Sequence, residues 1–178
     1  MVKGNIYLIG FMGTGKSTVS HSLADLLGFE EIDTDAWIVR EQKRSIKEIF
    51  DSQGEEYFRD LETELIERIA KEEKKIISCG GGIVLRKANR EQMKKSGLVV
   101  LLTAEPETIF SRVCQNTERP VLNGNMNASY IADLLQQRNP YYIEAGEIVV
   151  ATDCKTPEEI AQKIQREIKN IGINEKNF

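Results

Sequence analysis

A five-stranded parallel sheet covered by helices on both faces, a three-layer α/β/α arrangement in a single domain over 1–178, is the architecture this sequence predicts. Three observations predict it. Short apolar runs alternate with longer stretches of helical periodicity along the whole chain, the pattern of parallel βαβ units. The first run, Ile6-Tyr7-Leu8-Ile9, leads into GFMGTGKS over Gly10 to Ser17. That octapeptide fits G-x-x-x-x-G-K-[ST] at every fixed position, a motif that needs a strand before it and a helix after it. The other polar candidates fall at the ends of predicted strands, where α/β sheets bind their ligands.

Composition sets the limits. The chain has 178 residues, 40 % hydrophobic and 29 % charged, which is ordinary for a globular protein with a sizeable core. A net charge of −4 leaves no global basic field to recruit nucleic acid. Any anionic ligand has to be held by a local group of Arg and Lys. No apolar run approaches the length of a membrane span, and the N-terminus lacks a signal-peptide pattern. Cys79, Cys114 and Cys154 lie far apart in no metal-binding spacing. They read as reduced thiols of a cytoplasmic protein. The chain is expected to act as a monomer.

The elements follow in order. Asn5 to Ile9 reads as strand one. Lys16 to Leu27 reads as a helix, with Val19, Leu23, Leu26 and Leu27 at helical spacing and Gly28 as its stop. Phe29 to Asp33 is a short second strand, and Ala36 to Gln42 a short helix. Ser45 opens a helix that Gly54 interrupts, and Glu55 to Glu73 continues in register through Phe58, Leu61, Leu65, Ile66 and Ile69. Lys75 to Ser78 is the third strand and runs into Gly80-Gly81-Gly82. Lys87 to Lys95 is a polar helix, Leu98 to Leu102 the fourth strand, and Pro106 to Cys114 a helix with proline in its first turn. Gln115 to Asn127 lacks periodicity and reads as a mobile loop. Ala128 to Ala145 is helical, though Pro140 should kink or restart it. Glu147 to Ala151 is the fifth strand and Pro157 to Lys169 the last helix. Residues 170–178 read as a loose tail.

The chemistry starts at the glycine loop. Its glycines allow close backbone approach, and the freed N–H groups with the helix N-terminus point at an anion. Gly13, Thr14, Gly15, Lys16, Ser17 and Thr18 are the nucleotide-binding candidates, with Lys16 on the β- and γ-phosphates and the Ser17 hydroxyl on Mg²⁺. Asp33-Thr34-Asp35 sets two carboxylates two apart at a strand end. If the strand continues, both face the crevice, one to hold Mg²⁺ through water and one to orient a hydroxyl and take its proton. The same residue types also suit a turn with a helix N-cap. Arg59 lies three residues before Glu62. By spacing alone that is a surface ion pair worth a few tenths of a kcal/mol. Three successive glycines at 80–82 point to backbone approach to a ligand. Arg112, Arg119 and Arg138 are the other basic candidates, Arg119 within the loop. His21, the only histidine, reads as solvated or structural. Asp51-Ser52-Gln53-Gly54 looks like a GTPase switch but follows no strand, and no N-K-x-D motif exists in the chain. It reads as helix-end turn chemistry.

Taken together, the chain resembles the shikimate kinase family, within the nucleoside monophosphate kinase-like P-loop proteins. The resemblance rests on GFMGTGKS, Asp33-Thr34-Asp35, Phe58-Arg59 with Glu62, Gly80-Gly81-Gly82, Arg119-Pro120-Val121-Leu122 and Arg138-Asn139-Pro140-Tyr141-Tyr142, in that order. Val121 departs from the leucine more often found in the lid motif. The resemblance implies a P-loop kinase with a mobile lid over about 115–127. It implies ATP and Mg²⁺ as cofactors and shikimate as substrate, phosphorylated on its 3-hydroxyl. Asp35, Arg59, Gly81 and Arg138 would bind shikimate, and Asp35 would engage the attacking hydroxyl. Lys16 and Arg119 would stabilise the transferring phosphoryl group, Ser17 and Asp33 would serve Mg²⁺, and Arg112 would stack near the adenine. The alternatives are a kinase for another small polyol acid, such as gluconate, and a non-catalytic nucleotide-binding switch.

Overall fold

The computed structural model describes residues 4–114 and 127–171. Five strands form one sheet: β1 (Asn5–Ile9), β2 (Glu30–Asp33), β3 (Lys75–Ser78), β4 (Gly97–Thr103) and β5 (Ile148–Ala151). Their order is β2-β3-β1-β4-β5, with every pairing parallel. Among the described residues seven helices flank them: α1 (Lys16–Leu27), α2 (Thr34–Gln42), α3 (Ile46–Ile69), α4 (Lys87–Ser96), α5 (Pro106–Val113), α6 (Ala128–Ala145) and α7 (Pro157–Asn170). A 3₁₀ turn, Ile83–Leu85, follows the triple glycine.

Successive strand residues point to opposite faces, and here both faces are buried. Ile6, Leu8, Val100 and Leu102 pack with α1 and α7, while Tyr7, Ile9, Val99 and Leu101 pack with α3, α5 and α6. This is why β1 and β4 read as continuous apolar runs. Strand β5 lies at the edge and alternates, with Ile148 and Val150 buried and Val149 and Ala151 exposed.

Three departures from the sequence expectation have physical causes. Helix α2 begins directly after Asp33, so strand β2 does not continue to Asp35. The Asp33 carboxylate accepts from the Ala36 N–H at 3.0 Å and caps the helix. Helix α3 stops at Ile69 rather than Glu73, because Asn5 draws the carbonyls of Ile69 and Glu72 to its amide at 3.2 and 2.9 Å. Gly54 does interrupt α3, at φ 83°, ψ 172°. Helix α6 runs through Pro140 without restarting. Buried Ile131 before the proline and buried Tyr142 and Ala145 after it seat both halves on one core, which outweighs the hydrogen bond that proline removes.

Asn5 is the polar anchor at the end of the sheet remote from the phosphate loop. It is 0 % exposed, and its carbonyl oxygen also accepts from the Lys75 N–H at 3.1 Å. Asn5→Ala removes the partner of three backbone groups, one of them the buried Ile69 carbonyl. Unfolding in urea should show a loss of about 2–4 kcal/mol, with turnover per folded molecule unchanged.

Candidate active site

Loops at the carboxyl ends of β1, β2 and β3 enclose a crevice of about 350 Å³. Gly15 stands at the N-cap of α1 with φ 89°, a left-handed angle that disfavours side chains. Among the described residues no side chain caps that helix, and an uncapped helix N-terminus favours an anionic acceptor. Lys16 is buried, and its ammonium donates to the carbonyls of Gly10 and Phe11 at 2.8 and 2.9 Å. Thr14 turns its side chain inward, onto the Phe11 carbonyl at 2.8 Å. Gly13, Gly15, Lys16, Ser17 and Thr18 line the crevice, and so does Arg112. Arg112 donates to the Gly13 carbonyl at 3.1 Å and to the hydroxyl and carbonyl of Thr152 at 3.1 and 3.2 Å. Its edge is therefore fixed to the phosphate loop on one side and to the end of β5 on the other.

Asp33 takes up the cap that its sequence allowed and keeps one oxygen for the crevice. One carboxylate oxygen caps α2, and the other accepts from the hydroxyls of Ser17 and Ser78, each at 3.0 Å. The two serine oxygens are 3.2 Å apart. Ser78 was not singled out from sequence. The available signal was a polar residue closing an apolar strand just before the glycines. Among the described residues no group of three or more His, Cys, Asp or Glu is placed to hold a metal. The three-oxygen set suits a hard cation that keeps most of its own water.

The triple glycine owes its composition to space. A side chain at Gly82 would collide with the Arg59 guanidinium, and one at Gly80 would meet Asp35 Oδ1 at 2.5 Å and Glu62 Oε1 at 2.9 Å. Gly81 is open to the crevice. So Asp35, Glu62 and Arg59 crowd one turn of backbone. Asp35 reaches it from the first turn of α2, beside the crevice, even though the strand geometry expected for it is absent.

The Arg59–Glu62 pair is not on the surface. Arg59 is 6 % exposed and Glu62 1 %, with Nη1 to Oε2 at 2.6 Å. Glu55 takes two further donors of Arg59, at 2.7 and 3.2 Å. Arginine has five N–H donors, so two remain for a ligand. Burial disfavours the Arg59 cation, but Glu62 and Glu55 outweigh it and hold its pKa above the ordinary value. Burial pushes the Glu62 carboxyl up to about 7 against the pull of Arg59, and the Asp35 charge adds to the rise.

Arg138, half-buried on α6, lies with its guanidinium carbon 5.8 Å from the ring centre of Phe11, inside the phosphate loop. Among the described residues no carboxylate forms an ion pair with it. One turn later, the buried Tyr142 hydroxyl donates to the Gly81 carbonyl at 2.5 Å. Arg119 and the lid expected over 115–127 fall outside the described residues, apart from Asn127, which caps α6 by accepting from the Tyr130 N–H.

A sequence profile of the family described as shikimate kinase matches residues 12–169. The chain belongs to the shikimate kinase family. The shikimate kinase of Thermodesulfovibrio yellowstonii is 42 % identical over 168 residues, covering 94 % of this chain and 96 % of that one. That of Persephonella marina is 41 % identical over 165 residues, covering 93 % and 99 %. Among solved structures, shikimate kinase from Acinetobacter baumannii in complex with shikimate superposes with a TM-score of 0.92 at 34 % identity, over 97 % of this chain and 96 % of that one. A gluconokinase from Sinorhizobium meliloti, at 17 % identity and a TM-score of 0.57, shares the fold alone.

A shikimate kinase is a phosphotransferase with an alcohol acceptor, and the crevice offers what that reaction needs. It is lined by Lys16, Ser17 and Arg112 and by the carboxylates of Asp33 and Asp35. The parallel five-stranded α/β/α architecture of P-loop kinases is present as expected.

Glu62 gives the site a pH signature. Its folded pKa of about 7 lies above the ordinary carboxylate value of 4.5. Between those values the unfolded chain releases the proton first, so this group's stabilising contribution is complete below about 4.5 and is lost as pH rises to about 7. The stability difference between wild type and Glu62→Gln, measured by urea unfolding, should therefore drift against the wild type by up to about 3 kcal/mol between pH 4.5 and 7 and level off above. A pH-independent difference contradicts the raised carboxyl.

Proposed function

We propose that the chain transfers the γ-phosphoryl group of ATP to the 3-hydroxyl of shikimate, yielding shikimate 3-phosphate and ADP. The observation that carries this reading is the pair of arginines at the glycine turn. Arg59 covers Gly82 and Arg138 stands beside Tyr142, which holds Gly81. Two planar guanidinium groups at one turn suit a carboxylate, in a chain whose net charge of −4 offers no general attraction for anions.

Each residue then has a physical task. Asp35 orients the attacking hydroxyl and accepts its proton as the new P–O bond forms. The loop N–H groups and Lys16 neutralise charge that accumulates on the phosphoryl oxygens. To do so, Lys16 exchanges the Gly10 and Phe11 carbonyls for phosphate oxygens. Ser17 and Asp33, with Ser78 beside them, would hold Mg²⁺, which would offset the charge of the phosphate groups. Arg112 borders the nucleotide, and Arg119 remains the second phosphate-facing cation on the strength of its motif. Positioning and neutralisation carry the chemistry, since a loose transition state asks for little covalent help.

The reading takes the chain as one domain acting as a monomer in the cytoplasm. Three free cysteines are compatible with a reducing compartment. Among the described residues no helix is long and apolar enough to cross a membrane.

A coupled ADP-release assay with ATP and Mg²⁺ tests it directly, against shikimate, gluconate and nucleoside monophosphates. Shikimate should be the substrate turned over. Preference for gluconate supports the sister-kinase alternative, and nucleotide binding without a phosphorylated product supports the switch. Lys16→Met should abolish turnover in a folded protein. Arg138→Ala should raise the shikimate KM several tens-fold, the scale of an unpartnered desolvated charge, with far less effect on ATP. Equal losses for both ligands contradict its assignment to shikimate.

A further inference from the structure

The Gly81 peptide is the least restrained unit of the glycine turn, and one side chain holds it. On one side, the Gly80 N–H donates to the Thr34 hydroxyl at 2.8 Å and the Gly80 carbonyl accepts from Ile83 at 3.1 Å. On the other, the Gly82 carbonyl accepts from Leu85 at 3.0 Å. Between them the Gly81 carbonyl meets the Tyr142 hydroxyl. That carbonyl belongs to the Gly81–Gly82 peptide, and among the described residues nothing accepts from its other half, the Gly82 N–H.

We propose that Tyr142 is a positioning residue for carboxylate recognition, its hydroxyl locking the Gly81 peptide against α6 while keeping the Arg138 side chain beside it. The proposal rests on the shikimate reading above. The physical basis is the planar trans peptide, in which a fixed Gly81 carbonyl also fixes the Gly82 N–H across the bond. Glycine has no side chain that could restrain the turn instead. Tyr142 is 2 % exposed, and a hydroxyl at that depth needs a partner; the Gly81 carbonyl supplies it. As a donor to that carbonyl, the phenol oxygen keeps lone pairs for Arg138, four residues earlier on the same helical face. Burial raises the Tyr142 pKa to about 12, with Arg138 opposing, so the hydroxyl stays protonated at neutral pH.

Helix α6 has other attachments. Glu144 pairs with Arg90 at 3.0 Å, and the Lys94 ammonium donates to the Glu144 carbonyl. Arg90 also donates to the Val84 carbonyl at 2.8 Å, just past the glycine turn. Ile131 and Ala145 are buried in the core. Removing the hydroxyl therefore leaves α6 seated and releases only the Gly81 peptide and Arg138.

The experiment is steady-state kinetics of Tyr142→Phe in the full chain. The shikimate KM should rise about tenfold or more, on the scale of a buried acceptor left unpaired. The kcat and the ATP KM should stay within about threefold, and the Tm within a few degrees. On an analogue with a hydroxymethyl group in place of the carboxylate, the penalty should fall below about threefold. In Arg138→Ala the effect of Tyr142→Phe should shrink, because the two act on one group. An unchanged shikimate KM in Tyr142→Phe overturns the proposal. So does a variant that fails to fold or loses kcat, both KM values and Tm together, since either marks a structural role. If wild type does not phosphorylate shikimate, the functional reading falls and this proposal with it. If wild type is active and the variant's KM is unchanged, this proposal alone falls.

Discussion

A charged pair at 6 % and 1 % exposure is the constraint around which this end of the molecule is arranged. Neither Arg59 nor Glu62 can be buried alone, because an unpaired charge away from water is several kcal/mol unfavourable. Pairing them demands room, and the glycines at 80 and 82 supply it by leaving out side chains that would collide with Asp35, Glu62 and Arg59. The turn after β3 is therefore shaped by its charged neighbours, and the same omission exposes Gly81 to the crevice. Glu55 and Glu62 between them occupy three of the guanidinium's N–H groups, which fixes its plane. A fixed plane is what makes an arginine selective for a flat, two-oxygen partner.

The sheet brings this turn to the phosphate loop. With β1 at the centre and β3 beside it, the segments following both strands leave the sheet as neighbours. Asp33 ties them: one carboxylate holds the start of α2, the Ser17 hydroxyl of the phosphate loop and the Ser78 hydroxyl at the end of β3. Arg138 adds a further link by stacking on Phe11. A displacement of the phosphate loop therefore reaches the acceptor side through rigid contacts a few ångströms long.

Much of this was legible in the chain. Strands β1 and β3 and helices α1 and α6 stand on the residues that periodicity and stop signals indicated, since apolar spacing and a Gly28 cap are local properties. The phosphate loop was legible because its function fixes residue types at fixed offsets. What escaped was non-local. The i, i+3 spacing of Arg59 and Glu62 is identical in a solvated pair and a buried one, and only the fold decides between them. Ser78 and Tyr142 carry roles that appear when strand β3 and helix α6 meet the turn between them. The strand geometry expected for Asp35 gave way to Asp33 as an N-cap, a competition between two uses of the same residue type. Pro140 does not restart α6, which packs on the core on either side of it.

Lys16 enters the site already solvated by its own chain. Its ammonium sits on the Gly10 and Phe11 carbonyls at 2.8 and 2.9 Å, the distances of fully formed hydrogen bonds. The loop is thus a closed electrostatic circuit, its cation matched to carbonyl dipoles of its own segment. On the reading proposed above, a phosphate would have to compete with those two carbonyls. The net affinity contributed by Lys16 would then be a difference between two sets of contacts, smaller than the bare attraction of ammonium for phosphate.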